Sequence, residues 1–334
     1  MLNDPASSPT ARGADLEAIP LEQCSPDWTY SAMSRSWGSA RIEMTNPRFE
    51  DCNMDYREHL IVRPGHQVRL KAIDPGYRGQ DESHEKAGPE IERYLAEMSA
   101  LQVLLYAERK HALLIVLQGI DAAGKDGVCW HVVKGMNPQG CSVTGFKQPS
   151  PEERAHDFLW RVHPHTPGLG HVAVFNRSYY EDVLVVRVHK LMPKEVWEKR
   201  YDLINEFERL LLLHNTRIIK FFLYISKEEQ LERFKQRLDD PARRWKISDA
   251  DYKERDFWDD YVSANEDMLS KCSTKNAPWY VIPSNHKWFR NLAVSQIICA
   301  TLKDIGMKMP EPSVDIAAIS QMYHRASTEQ AKRR

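Results

Sequence analysis

The sequence predicts an α/β protein: a three-layer α/β/α domain around a largely parallel sheet of about five strands. Three observations predict it. Apolar runs at residues 113–117, 171–175, 217–225 and 279–283 are too brief to span a membrane and have the length of strands covered on both faces. Longer segments carry apolar residues three and four apart, the period of helices packed on a sheet. Polar, chemistry-bearing clusters follow the runs directly, where an open parallel sheet presents its ligand-binding edge.

The 334 residues carry 46 Lys+Arg against 47 Asp+Glu, a net charge of −1. That balance argues against a nucleic-acid partner held by counterion release, so any basic surface has to be local. Cys24, Cys52, Cys129, Cys141, Cys272 and Cys299 form no C-x-x-C pair and have no histidine at zinc spacing. Free thiols in a reducing compartment, without disulfides, are expected. No run approaches the roughly twenty apolar residues of a membrane span, and residues 1–13 lack the apolar stretch of a secretory signal. The expectation is a cytoplasmic protein with no membrane partner.

Residues 1–55 mix Pro, Ser, Arg and isolated aromatics without a period and predict an irregular extension, with Trp28, Tyr30 and Trp37 docking somewhere. Residues 56–71 alternate apolar and basic positions around an Arg63-Pro64-Gly65 turn, which predicts a surface strand. Its Arg63, Arg69 and Lys71 are candidates to touch a polyanion or simply to face solvent. Ile91, Leu95, Met98, Leu101, Leu104 and Leu105 predict a sheet-packed helix over 89–110.

The strand at 113–117 stops at Gly119-Ile120-Asp121-Ala122-Ala123-Gly124-Lys125, which fits G-x-x-x-x-G-K. Glycines there let backbone N–H groups converge on phosphate oxygens, while a helix N-terminus and the lysine add positive charge. The Ser or Thr that normally follows the lysine to hold Mg²⁺ is replaced by Asp126. Asp121 offers a hard oxygen that could take over the metal. The plainer alternative is that both aspartates favour a helix N-terminus electrostatically.

Asn137-Pro138-Gln139-Gly140 is a turn, and 141–146 predicts the second strand. Phe146-Lys147-Gln148-Pro149 then supplies an aromatic for a base and a lysine for a phosphate, with Phe146 equally readable as core. Ser150, Pro151 and Glu153 predict a capped helix to about residue 162. His163, His165 and His171 lack a carboxylate or cysteine partner, so no zinc site is expected.

The strand at 171–175 ends on Asn176-Arg177, with Glu181-Asp182 opening the next helix. A second Mg²⁺ contact belongs at such a strand end, and Arg177 can grip a phosphate bidentately. A charged helix start is the alternative for Glu181 and Asp182. Residues 194–215 predict a scaffold helix and 217–225 the next strand. Ser226 and Glu229 then cap a helix bearing Arg233 and Arg237 one turn apart. Asp239-Asp240-Pro241 and Arg243-Arg244-Trp245-Lys246 follow, which predicts a lid over about 233–255 that closes on a phosphoryl group. A solvated basic helix end is the alternative. Residues 248–270 carry a core-type aromatic stripe, 279–283 the fifth strand and 288–304 a closing helix. Ile316, Ile319 and Met322 make the 311–334 tail a docking helix or a frayed end.

The ordered set Gly119-x-Asp121-x-x-Gly124-Lys125-Asp126-Gly127, Phe146-Lys147-Gln148-Pro149, Phe175-Asn176-Arg177-Ser178 with Glu181-Asp182, and Arg237-Leu238-Asp239-Asp240-Pro241 resembles the polyphosphate kinase 2 family over roughly 56–309. The resemblance implies a P-loop kinase fold with a helical lid. It implies transfer of the terminal phosphate of inorganic polyphosphate to nucleotides with Mg²⁺, or Mn²⁺ in its place, and it suggests a homo-oligomer. Asn176 followed by Glu181-Asp182 looks like the class that uses both mono- and diphosphates, so AMP and ADP are the expected acceptors and ATP the final product. The catalytic set expected is Asp121, Lys125, Arg177 and Arg237. Gly119, Ala122, Ala123, Gly124, Asp126, Gly127, Phe146, Lys147, Arg233, Arg243 and Lys246 are expected to bind substrate. Asp121, Asn176, Glu181 and Asp182 are the expected metal ligands. An ATP-dependent nucleoside monophosphate kinase and a catalytically silent phosphate-binding protein are the competing readings.

Overall fold

The computed structural model describes residues 54–79 and 82–333, so the docking expected of Trp28, Tyr30 and Trp37 lies outside the described residues. The surface strand expected at 56–71 does not form. Asp55 caps a short helix α1 (Tyr56–Leu60) by accepting from the Arg57 N–H, and only Ile61 bridges, antiparallel, to Tyr280. The segment is tied down by side chains instead: the Val68 and Leu70 N–H groups donate to Ser270 and Glu266. Arg63, Arg69 and Lys71 stay away from the phosphate-loop cavity described below.

Helix α2 (His84–Glu108) starts earlier than expected because Ser83 accepts from the Lys86 N–H, leaving Pro89 in its second turn. It leads into β1 (Ala112–Gln118), every residue of which is buried. The phosphate loop and α3 (Lys125–His131) follow, then the short edge strand β2 (Cys141–Thr144). The helix expected over 151–162 is only α4 (Pro151–Ala155). The Ser150/Glu153 capping box forms, but His156 turns extended and the Asp157 carboxylate accepts from the Leu159 N–H, a local bond that competes with the helical ladder.

Strand β3 (Val172–Asn176), α5 (Glu181–Val188), α6 (Lys194–Trp197) and α7 (Arg200–Leu213) come next. The single scaffold helix expected at 194–215 is thus two, with the ladder interrupted at residues 198–199 although both keep right-handed helical angles. Strand β4 (Thr216–Tyr224) runs into α8 (Lys227–Asp239), capped by Ser226 as expected. The stretch 248–270 splits into α9 (Asp249–Glu254) and α10 (Trp258–Cys272) around a 3₁₀ turn, before β5 (Trp279–Pro283) and α11 (Lys287–Asp304). The tail forms α12 (Ile316–Lys332), none of whose residues is buried.

The sheet order is β2-β3-β1-β4-β5, all parallel. Alternate residues of β1 feed two cores. Leu113, Ile115 and Leu117 meet α2, α3 and α11, while Leu114 and Val116 meet α5, α7 and α10. Two-sided covering is what makes the strands read as continuous apolar runs. In register, Leu117 of β1 pairs with Asn176 of β3, so the phosphate loop and the Asn176-Arg177 cluster leave the sheet side by side. Cys129, Cys141, Cys272 and Cys299 are free.

Candidate active site

At the carboxyl edge of the sheet lies a cavity of about 1040 Å³. Nine Lys and Arg side chains line it against three Asp, a surplus that calls for a polyanion. Its floor is the phosphate loop. Gly119 has φ 155°, and a Cβ there would lie 2.7 Å from the Leu223 carbonyl oxygen; Ala122 and Gly124 are left-handed at φ 63° and 109°. Lys125 is 8 % exposed and its ammonium folds back to donate to the Gly119 and Ile120 carbonyls at 2.5 and 3.4 Å. Burial and the neighbouring Arg177 push its pKa down, against Asp121, Glu181 and Asp126. An arriving phosphate would replace those carbonyls as the acceptor of the ammonium.

The loop is braced from α8. Gln230 Nε2 donates to the Asp121 carbonyl at 2.9 Å. Arg233 corrects the sequence-based expectation: it is 5 % exposed and holds the Ala122 and Ala123 carbonyls at 2.8 and 2.9 Å, together with Ser284, Asn285 and Glu229. Its donors are spent on protein acceptors, so Arg233 shapes the loop instead of serving as a lid arginine.

Arg177, just after β3, also lines the cavity. Its backbone is left-handed at φ 66°, its N–H bonds the Leu117 carbonyl, and its Nη2 donates to Asp121 Oδ1 at 2.6 Å. Desolvation lowers its pKa, but Glu181 and Asp121 outweigh it and raise the net value. Asn176 Nδ2 and Lys246 Nζ reach the two oxygens of Asp126 at 2.9 and 3.0 Å. Asp126 is therefore a junction between β3, the start of α3 and the turn at residues 244–246, beyond a favourable charge at a helix end.

The expected metal ligands separate. Asp121 keeps Oδ2 clear of Arg177, and Asn176 uses its amide nitrogen on Asp126, leaving its oxygen. Glu181 accepts from Gln118 Nε2 at 3.0 Å. Asp182 does not belong to the set. It is 8 % exposed and spent on buried Arg161 at 3.0 Å; like Glu181 it is absent from the cavity lining. Burial raises its pKa, with Arg161 opposing. Among the described residues no three His, Cys, Asp or Glu side chains converge on a metal position; one carboxylate at the loop with neutral and outlying oxygens is a donor set compatible only with a hard cation that keeps waters and takes further ligands from substrate phosphates.

Phe146 lines the cavity but is 5 % exposed, edge-on to Phe175 at 5.0 Å, with Arg161 over its ring at 5.6 Å. Of the two readings open to Phe146, its burial favours the core one over a free stacking platform. Lys147 is exposed at the rim, its carbonyl fixed by Arg161 at 2.7 Å. Over the cavity, Arg237 donates to the Lys246 carbonyl at 3.1 Å, and Arg243 pairs with Asp240 at 2.9 Å. Both face the cavity, as does exposed Trp245.

Sequence reasoning missed Trp130, Lys287, Arg290 and Gln118. Trp130 is 73 % exposed on α3 at the cavity rim. Arg290 had one signal, a cation inside the apolar stretch 288–294.

A phosphate loop after the central strand, a second polar cluster on the adjacent strand end and a cationic helical cover define a P-loop phosphotransferase. The chain belongs to the polyphosphate kinase 2 family: the family's model, Polyphosphate kinase 2 (PPK2), matches residues 81–310. It is 47% identical over 252 residues to the AMP/ADP-polyphosphate phosphotransferase of Meiothermus ruber, covering 75% of this chain and 94% of that one. It is 47% identical over 251 residues to the ADP-polyphosphate phosphotransferase of Rhodopseudomonas palustris, with 72% and 86% covered. The crystal structure of polyphosphate kinase 2 from Arthrobacter aurescens TC1 superposes with TM-score 0.79 at 40% identity, covering 81% of this chain and 97% of that one.

Proposed function

We propose that this chain transfers the terminal phosphoryl group of inorganic polyphosphate to AMP and ADP, reversibly and with Mg²⁺, forming ADP and ATP. The observation that carries the reading is the cavity's charge: nine cations against three aspartates suit a donor whose every unit is anionic. The names of the relatives supply the donor and acceptors.

The acceptor is a nucleotide phosphate oxygen, ionised near neutral pH, so alignment and charge neutralisation do the work and a strong base is unnecessary. The loop amides and Lys125 grip the donor. Arg177, oriented by Asp121, stands where the transferring group would pass, and Arg237 with Arg243 and Lys246 covers it and excludes water. Asp121, with the Asn176 oxygen and Glu181 behind it, would hold Mg²⁺, which when bound neutralises phosphate charge. A cytoplasmic homo-oligomer without nucleic-acid or membrane partners completes the proposal. Exposed Leu203, Leu210 and Leu213 on α7 support an interface, and no described helix is long and apolar enough to cross a membrane.

The test incubates purified protein and Mg²⁺ with AMP or ADP, giving polyphosphate or ATP as donor, and separates nucleotides by anion exchange. Conversion of AMP to ADP and then ATP by polyphosphate alone is expected. Transfer only from ATP would make this a nucleoside monophosphate kinase, and binding without turnover a silent phosphate-binding protein.

A further inference from the structure

We propose that Arg290 is a phosphate-binding residue for the donor chain: its guanidinium lies against Gly124 and Gly127 of the phosphate loop and is held there without a carboxylate partner. The proposal rests on the polyphosphate reading above and deepens it. Arg290 is the fourth residue of α11, 3 % exposed, and lines the cavity. Its side-chain hydrogen bonds go to one neutral acceptor, Asn291 Oδ1, at 3.1 and 2.9 Å, and among the described residues it forms no ion pair.

The contrast with Arg233 is direct, since that guanidinium is saturated by carbonyls and Glu229. Everything charged that acts on Arg290 has its own sign. Burial and Arg233 push its pKa down to about 9, and it contributes in turn to lowering Lys287 and His131. A buried cation among cations is costly unless an anion completes it, and the open side here is the cavity.

The glycines point the same way. A Cβ at Gly124 would fall on Arg290 Nη1, and one at Gly127 would lie 2.8 Å from Nη2. Gly127 has an ordinary helical backbone in α3, so no left-handed φ demands glycine there. A side chain there would displace the guanidinium from its present position. Contact with the loop's own Gly124 sets Arg290 beside the loop amides that would hold the donor. With Lys287 it can reach phosphates behind the one being transferred.

The test is Arg290→Met, with Arg290→Gln as a second variant of similar size. Melting is followed without nucleotide, with and without inorganic tripolyphosphate or longer polyphosphate. Wild-type protein should melt higher with polyphosphate. The variants should match or exceed the ligand-free wild type, because an uncompensated charge is gone, and should lose most of the polyphosphate-induced rise. The KM for polyphosphate should rise about tenfold or more while the KM for AMP stays put. A variant that keeps the full rise and the polyphosphate KM overturns the proposal, as does one that melts lower in both variants with the rise intact. Wild-type protein that answers to ATP and not to polyphosphate overturns the donor assignment of the preceding section instead. The loss or retention of the ATP-induced rise in the variants then decides Arg290.

Discussion

Arg233 and Arg237 stand one turn apart on α8 and do different work. Arg233 is 5 % exposed and ties α8 to the carbonyls of the phosphate loop and the end of β5; Arg237 makes one hydrogen bond, to the Lys246 carbonyl, and faces the cavity. The floor of the site is built in advance, its backbone acceptors saturated and its glycines fitted to neighbours. The cover is exposed and cationic, held by a few bonds that a phosphate chain can replace. Identical residue types at helical spacing share a face, but depth along that face decides whether a guanidinium holds protein or ligand.

The strongest test of this contrast is at the floor. Lys125→Ala removes the one ammonium aimed into the loop and should lower turnover by about 10²–10³-fold with the fold intact, measured by nucleotide separation and melting. Near-normal turnover would break the site assignment.

Arg233→Met should cost about 3 kcal/mol, a fall in melting temperature of about 6–12 °C, because Glu229 and four carbonyls lose their donor. If the variant melts normally and only loses polyphosphate affinity, floor and cover do not differ as described. Arg237→Met is the counterpart. Turnover should drop about tenfold to a hundredfold, with melting within about 2 °C of wild type.

The smallest effect sharpens the comparison at the Asp126–Lys246 contact. Burial alone would raise the Asp126 pKa, but Asn176, Lys246 and Lys125 hold it below the usual 3.8. A carboxyl lowered in the folded state contributes stability that is full above about pH 3.8 and is lost as pH falls through the lowered value. Wild-type protein should therefore lose slightly more melting temperature than Asp126→Asn between about pH 5 and pH 3, by about 2 °C or less for so exposed a pair. Equal acid sensitivity would mean that the contact contributes nothing to folding.

Much of this was legible in the chain. The five strands, the phosphate loop, the Ser150 and Ser226 caps and the strand-end position of Asn176-Arg177 follow from apolar runs and local hydrogen bonding, which act over a few residues. The misses have physical causes of two kinds, contacts from residues far away in the chain and one local bond. Residues 56–71 alternate like a strand, yet side chains from α10 satisfy their N–H groups, and the Asp157 carboxylate ends the helix expected to reach residue 162. Asp182 and Phe146 stand open in the sequence between a ligand-facing and a structural reading, because they follow strand ends. Arg161, distant in sequence, claims both, as an ion pair and as a cation over a ring.

The sequence by itself determined the class of chemistry. A glycine-bounded loop ending in lysine after a buried strand has one common use, and composition alone shows that the basic charge must be gathered locally. Tertiary structure decided which charges are gathered and which are free. The register that sets Leu117 beside Asn176 brings two clusters together, and α11, closing over the loop from the far end of the chain, sets Arg290 against Gly124 and Gly127. Pairing and desolvation depend on what lies within a few ångströms, and in a folded chain those neighbours come from residues far apart in sequence.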